Sequence, residues 1–388
     1  MEFRDLEKKY KLIYVVPSLG PGGAEKQLLN LAYELNPKLW DIKIIYFDKK
    51  NILDLMHRNN VYYCYINKEK KSFFTFMLSL INEVKLFNPN IIHGYLVIGQ
   101  LWAIFLRIIF PNLILVLGIR SSRINLKKYG YKTRLLYFLV AKFSRLANAF
   151  IVNSKNGADY YCKSLGFSEE KMFCVENGID TDLFCPKSSA RKNLISILSP
   201  RANARNTVII GIVATLEHLK DHKTFFLAAQ LVYKKHPNVC FAVFGADDSY
   251  YGLSVKNFVK DIALSHVVVF LGLRADIPQL LSGLDILVSS SISEGFSNSI
   301  AEAMSAGVPC IATDVGDSKN ILGEYGIVVP SGDFIKMAKA IEKLIALAPG
   351  DMASLSSGAR TRIIEKFGIK RMVSRTEKIY KKLILENG

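Results

Sequence analysis

The sequence predicts an α/β chain built as two doubly wound domains, and three observations carry that expectation. The chain has 388 residues, and at roughly 100–200 residues per domain that favours two domains. Short apolar runs alternate throughout with longer amphipathic segments, the rhythm of parallel strands covered by helices on both faces. The rhythm is interrupted once, at residues 186–206, where Pro, Ser, Asn and basic residues accumulate.

The elements follow in order. In the first half the apolar runs lie at 11–16, 42–47, 61–66, 90–93, 113–117 and 149–152. In the second they lie at 208–213, 239–244, 267–271, 286–289, 309–312 and 327–329. Between the first two runs, Leu28, Leu29, Leu31, Ala32 and Leu35 recur at helical spacing. The stripe Phe73, Phe74, Phe76, Met77, Leu80 and Ile81 reads as the core face of a helix, or as a lipid-facing surface. Residues 96–118 are nearly all apolar, but Arg107 sits in the middle and Pro111-Asn112 breaks the run. A helix of about 13 residues followed by a buried strand fits better than a membrane span. These elements give a first domain at 1–185, a linker at 186–206 and a second domain at 207–362. A basic amphipathic helix at 363–388 is expected to return to the first domain.

The net charge is +17, from 51 basic and 34 acidic residues. Between Glu83 and Asp159 no acidic residue occurs, against eleven basic ones. Such a face is either a solvated basic surface or suits an anionic partner: membrane headgroups, a pyrophosphate-linked acceptor or nucleic acid. No nucleic-acid recognition motif accompanies the charge, so a nucleic-acid partner is not expected. The six cysteines form no CxxC pair and no Cys/His cluster with metal spacing. They read as reduced thiols, and no metal site is expected. The first ten residues are mostly charged, so no signal peptide is expected, and the chain reads as cytoplasmic.

Two motifs can carry chemistry. Gly20-Pro21-Gly22-Gly23-Ala24-Glu25 follows the first strand and opens the first helix. Its glycines allow a tight turn and close approach, and helix-start amides then face an anion, an arrangement that can hold a diphosphate. The same turn can equally be purely structural. The stronger motif is Glu294-Gly295-Phe296-Ser297-Asn298-Ser299-Ile300-Ala301-Glu302, which follows the strand ending near Ser289 and a Ser-rich turn. Ligands bind at such strand ends in open α/β sheets. Glu294 can accept hydrogen bonds from sugar hydroxyls, and Glu302, in a helix expected at 299–306, from a ribose. Ser299-x-x-Glu302 also matches a capping box, an alternative that does not reach Glu294. His93 ends its strand and is expected to face a ligand cleft, or to be a satisfied structural histidine.

Glu294 and Glu302, with the following Ala-Met-Ser-Ala-Gly-Val-Pro-Cys-Ile-Ala-Thr-Asp at 303–314, resemble the retaining GT-B glycosyltransferases of the large family four. The resemblance covers nearly the whole chain. Gly22-Gly23-Ala24-Glu25 is similar to the family's first-domain phosphate loop, and Val152-Asn153-Ser154-Lys155 to its strand-end Ser motif. Asn177-Gly178-Ile179-Asp180 resembles the motif near the interdomain hinge, and Phe270-Leu271-Gly272 the loop near the nucleobase. The resemblance implies two Rossmann-like domains facing across a donor-binding cleft.

It also implies roles. Glu302 would hold the donor ribose. Glu294 would contact the transferred sugar, with the amides of Phe296, Ser297 and Asn298. Gly22 and Gly23 would lie against the diphosphate, and Lys220 would neutralise it. Two positions depart from the pattern. Thr215 stands where the family usually places Arg. Arg120, in Gly118-Ile119-Arg120-Ser121-Ser122, stands where many relatives carry His, and can serve the sugar, its phosphate or the acceptor. The expected activity is retaining transfer from a UDP- or GDP-sugar to an acceptor hydroxyl, without metal or cofactor. Lys220, helix-start amides and Arg120 would stabilise the leaving diphosphate, and domain closure would exclude water. The favoured acceptor is a glycan on a lipid carrier, with peripheral contact to an anionic inner membrane face. A catalytically silent binding subunit and a sugar-nucleotide epimerase of the same fold are the alternatives.

Overall fold

A computed structural model describes residues 9–20, 22–49, 58–68, 70–120, 130–199 and 207–387. The chain divides into two compact units, Met1–Gly178 with Ile369–Gly388, and Ile179–Gly368.

In the first unit the elements are β1 (Tyr10–Ser18), α1 (Gly23–Glu34), β2 (Trp40–Asp48), β3 (Val61–Tyr65), α2 (Phe73–Phe87), β4 (Ile91–Tyr95), α3 (Leu96–Ile109), β5 (Ile114–Ile119), α4 (Tyr131–Phe143), β6 (Ala149–Val152), α5 (Lys155–Leu165) and β7 (Met172–Cys174). The seven strands pair in parallel in the order β3-β2-β1-β4-β5-β6-β7. The central strands β4, β5 and β6 and the middle of β1 are buried on both faces and mostly apolar, whereas the edge strands β3 and β7 are only partly buried. Leu12, Tyr14 and Val16 of β1 enter one core with Leu28 and Leu31 of α1. Ile13 and Val15 point the other way, onto Phe76 and Leu80 of α2 and Ala103 and Ile104 of α3. Gly99 lets α3 lie against β1, since a Cβ there would come within 2.3 Å of the Val15 carbonyl oxygen.

In the second unit the elements are α6 (Ala190–Leu198), β8 (Val208–Val213), α7 (His222–Lys235), β9 (Val239–Phe244), α8 (Tyr250–Asp261), β10 (Val268–Phe270), α9 (Ile277–Leu280), β11 (Ile286–Ser289), α10 (Asn298–Ser305), β12 (Cys310–Thr313), α11 (Ser318–Leu322), β13 (Gly326–Val329), α12 (Phe334–Ile345) and α13 (Pro349–Phe367). Its parallel strands run in the order β10-β9-β8-β11-β12-β13. In each unit the order reverses beside the first strand, between β1 and β4 and between β8 and β11. Ligands of open α/β sheets sit outside the carboxyl ends of the strands at that switch point.

Three expectations are corrected. Residues 186–206 are not simply a linker: α6 lies within them, and its Leu194 and Leu198 are buried in the core of the second unit. Arg191 fastens α6 further, donating to Asp285 Oδ2 at 2.7 Å and to the Gly283 carbonyl at 2.9 Å. The tail is two helices, because α13 ends in the second unit and α14 (Ile369–Asn387) belongs to the first. Finally, the stripe on α2 is core only in part: Phe76 and Leu80 are buried, while Phe73 and Phe74 are 71% and 64% exposed. Residues 96–118 form α3 and then β5, and among the described residues no helix is long and apolar enough to cross a membrane.

Candidate functional site

In the second unit the site grows from the end of β11. Ser290 and Ser291 follow it and carry the chain to Glu294. Glu294 Oε1 accepts from Lys220 Nζ at 2.6 Å and from Ser291 Oγ at 2.7 Å. Lys220 ends a single 3₁₀ turn, His218–Lys220, in the loop after β8. Two bonds stitch the loops together: Ser290 Oγ donates to the Lys220 carbonyl at 2.8 Å, and the Ile292 amide to the Leu219 carbonyl at 2.9 Å. Thus the two charged residues, distant in sequence, meet at the switch point of this sheet.

The Glu294 loop is backed by Gly316. Its φ is +55°, and a Cβ there would lie 2.4 Å from the Glu294 carbonyl oxygen. The Asp317 amide donates to the Gly295 carbonyl at 3.0 Å. Phe296 is buried against Phe367, with ring centroids 5.4 Å apart, so its side chain anchors the loop in the core. Ser297 is the N-cap of α10, and Asn298 opens the helix. The positive end of α10 therefore lies directly after the Glu294 loop. This frame removes the capping-box alternative. Ser299 is the second helical residue, so Glu302 falls in the second turn, outside the cap, and is partly exposed.

Thr215 is exposed just after β8. Gly272 has φ +65° with open space around it, so backbone conformation rather than crowding requires glycine there. The Gly272 carbonyl accepts from the Gly245 amide at 2.9 Å, which ties its loop to the end of β9. His222 opens α7 two residues after Lys220 and is fully buried. Burial pushes its imidazole down to about 4, and Lys220 adds to the shift.

The first unit holds the other candidates. Gly22 is the N-cap of α1 and Gly23 its first residue. The Glu25 carboxylate folds back over Gly22, and a Cβ there would come within 2.3 Å of Glu25 Oε2. Ser18 Oγ donates to Glu25 Oε1 at 3.3 Å, and burial raises the Glu25 pKa. Arg120 follows β5. It donates to Tyr95 Oη at 2.6 Å and Asn177 Oδ1 at 3.2 Å, and its guanidinium lies 4.7 Å from the centre of the Tyr95 ring.

His93 neither ends its strand nor faces a ligand cleft: it is the third of the five residues of β4. It is fully buried, with Nδ1 2.6 Å from Tyr380 Oη of α14, whose hydroxyl is 3.2 Å from Tyr14 Oη. Burial, with Arg120 nearby, holds its pKa well below the ordinary value, so the ring is neutral. Gly118 makes room for it: a Cβ there would lie 2.9 Å from His93 Nε2. The geometry supports a buried structural histidine, held through Nδ1 but with Nε2 buried and without a hydrogen-bond partner. Tyr95 and Tyr380 were not singled out in the sequence, Asn177 appeared there only as part of the Asn177–Asp180 motif, and Ser290 and Ser291 only as a Ser-rich turn. Among the described residues no three His, Cys, Asp or Glu side chains converge as a metal site would require.

Two family models divide the chain between them. Residues 21–183 match Glycosyltransferase Family 4, and residues 207–346 match Glycosyl transferases group 1. The chain belongs to the family 4, group 1 glycosyltransferases. Among solved structures, HepE from Anabaena in complex with UDP and glucose matches with a TM-score of 0.84 at 20% identity, over 96% of this chain and 99% of that one. A glycosyltransferase from Rickettsia africae matches with a TM-score of 0.79 at 21% identity, over 98% and 100%. At such identity the likeness is one of fold, and that fold is GT-B. Among curated relatives, the UDP-Gal:alpha-D-GlcNAc-diphosphoundecaprenol alpha-1,3-galactosyltransferase of Escherichia coli is 25% identical over 226 residues, 56% of each chain. The lipopolysaccharide core mannosyltransferase LpcC of Rhizobium leguminosarum is 25% identical over 58% of this chain and 64% of its own. The matched stretch thus spans little more than half the length of these curated relatives.

Proposed function

We propose that this family 4 glycosyltransferase moves a sugar from a UDP-linked donor to a hydroxyl of a lipid-linked glycan, with retention and without metal. The observation that carries the reading is the Lys220–Glu294 pair at the switch point of the second sheet, beside the positive end of α10. A diphosphate leaving group gains charge as its bond to the sugar breaks. Lys220, two residues ahead of α7, can meet that charge as a compact cation, and preorganised charge of this kind is the largest expected contribution to rate. Glu294 then accepts from the sugar hydroxyls and Glu302 from the ribose. Retention follows from attack on the face the diphosphate leaves, with the leaving phosphate taking the acceptor proton. UDP is favoured over GDP because the HepE structures hold UDP, and the E. coli relative's name specifies UDP-Gal. That relative's diphosphoundecaprenol acceptor motivates the lipid carrier.

The α4 surface supports peripheral contact with an anionic membrane. Tyr131, Leu135 and Phe138 are 75%, 52% and 59% exposed, interleaved with Lys132, Arg134 and Lys142 on a segment without acidic residues. Apolar insertion and headgroup attraction reinforce each other on such a face.

Thermal shift with UDP-, GDP- and ADP-sugars, on wild type and Glu302→Ala, tests the donor. A ligand at 100 times its dissociation constant adds about 2.7 kcal/mol of stability. Stabilisation by UDP-sugars alone, weakened in the variant, is expected. No stabilisation of a folded wild type by any donor would overturn the reading in favour of a silent subunit. The anomeric configuration of the product by NMR, and turnover in EDTA, test retention and metal independence.

A further inference from the structure

Two buried hydroxyls occupy the turn where β11 ends, and each reaches a different charged residue of the site. Ser290 and Ser291 are 0% and 2% exposed. The strand before them is apolar through Ile286, Leu287 and Val288. A buried hydroxyl contributes little net stability even when bonded, and is costly when it is not. Its value here lies in what it orients.

Ser291 Oγ donates to Glu294 Oε1 at 2.7 Å, the same oxygen that accepts from Lys220 Nζ. Ser290 Oγ donates to the Lys220 carbonyl at 2.8 Å. The turn itself is pinned from β12, whose Thr313 Oγ1 donates to the Ser291 carbonyl at 2.6 Å. The loops after β8 and β11 thus close a hydrogen-bonded ring, with the serines as its fixed side.

We propose that Ser290 and Ser291 are positioning residues with divided tasks. Ser291 aims the Glu294 carboxylate at the transferred sugar, and Ser290 fixes the backbone from which Lys220 reaches the diphosphate. The proposal rests on the donor reading above. When a diphosphate arrives, the Lys220 ammonium exchanges carboxylate for phosphate. Glu294 loses that cation, and the Ser291 hydroxyl remains as a donor holding the carboxylate in place. A hydrogen bond to a charged group is among the stronger ones, so its loss is read as a large change in rate.

The test measures UDP affinity by calorimetry and kcat/KM for UDP-glucose, UDP-galactose and UDP-N-acetylglucosamine, counting hydrolysis of the donor by water as turnover. Ser291→Ala is expected to lower kcat/KM roughly 10- to 100-fold, by loss of a bond to a charged acceptor, with UDP affinity unchanged. Ser290→Ala is expected to weaken UDP itself about tenfold. Ser291→Thr, which keeps the hydroxyl, should restore activity. In a Glu294→Gln background the further loss from Ser291→Ala should shrink, because the two act through one bond. Wild-type rates in Ser291→Ala overturn the proposal and leave the donor reading standing. Equal losses of UDP affinity and turnover with a lowered Tm, unrescued by Thr, make the serine merely structural and also overturn it. A wild type that binds neither UDP nor a UDP-sugar removes the donor reading first.

Discussion

His222 makes the second unit sensitive to acid, and the size of the effect follows from its burial. The ring is fully enclosed at the start of α7, and its pKa falls from 6.5 to about 4. Above 6.5 folded and unfolded states are both neutral, and this source of stability is fully present. As the pH falls below 6.5 the unfolded chain takes up a proton that the folded one refuses, so stability is lost until about pH 4. At about 1.4 kcal/mol per pH unit, the whole interval is worth about 3 kcal/mol, most of it already lost at about pH 4.5. For a unit of this size that is roughly 5–10 °C in Tm. Differential scanning calorimetry of wild type and His222→Gln at about pH 7.5 and 4.5 reads it directly. The wild-type transition of the second unit should fall further with acid than that of the variant, by about that amount. Parallel falls in the two proteins would refute the assignment. His93 acts with the same sign in the first unit, so the comparison with the single variant, not the wild-type slope alone, isolates His222.

Two further predictions concern packing. Tyr380→Phe removes the hydroxyl that lies 2.6 Å from His93 Nδ1 and 3.2 Å from Tyr14 Oη. It should cost about 1–3 kcal/mol as a lower urea midpoint, since a buried polar group loses its partner; an unchanged midpoint would count against the network. Gly316→Ala places a Cβ 2.4 Å from the Glu294 carbonyl oxygen at a φ of +55°. It should destabilise by about 2 kcal/mol or more and weaken UDP-sugar binding by displacing the Glu294 loop. A variant with full affinity would show that the loop tolerates the shift.

The central strands were legible because both of their faces are buried, so their runs stand out in a mixed sequence. The loop residues Lys220 and Glu294 were legible only through a motif; nothing in their spacing shows that they touch. Residues 186–206 were misread for a physical reason. Ala190, Leu194 and Leu198 of α6 are buried and Ile195 and Ile197 pack beside them, but the flanking Pro, Ser, Asn and basic residues resemble a connector until Arg191 is seen on Asp285. His93 was expected at a strand end but lies in the middle of β4, and its burial depends on Tyr380, 287 positions away. The capping-box alternative failed because the N-cap of α10 is Ser297, two residues before the Ser299 that the pattern needs.

The return of α14 to the first unit has a consequence for synthesis. A ribosome makes the whole of Ile179–Gly368 before the first residue of α14 appears. Until then the sheet face carrying Leu12, Tyr14 and Trp40 lacks the side chains of Met372, Tyr380 and Leu383 that complete its core. The later-made unit can therefore reach its native state first, while the earlier-made one waits with an apolar face uncovered and vulnerable to chaperone capture, proteolysis or aggregation. A premature stop that removes α14 should harm the unit encoded at the opposite end of the message.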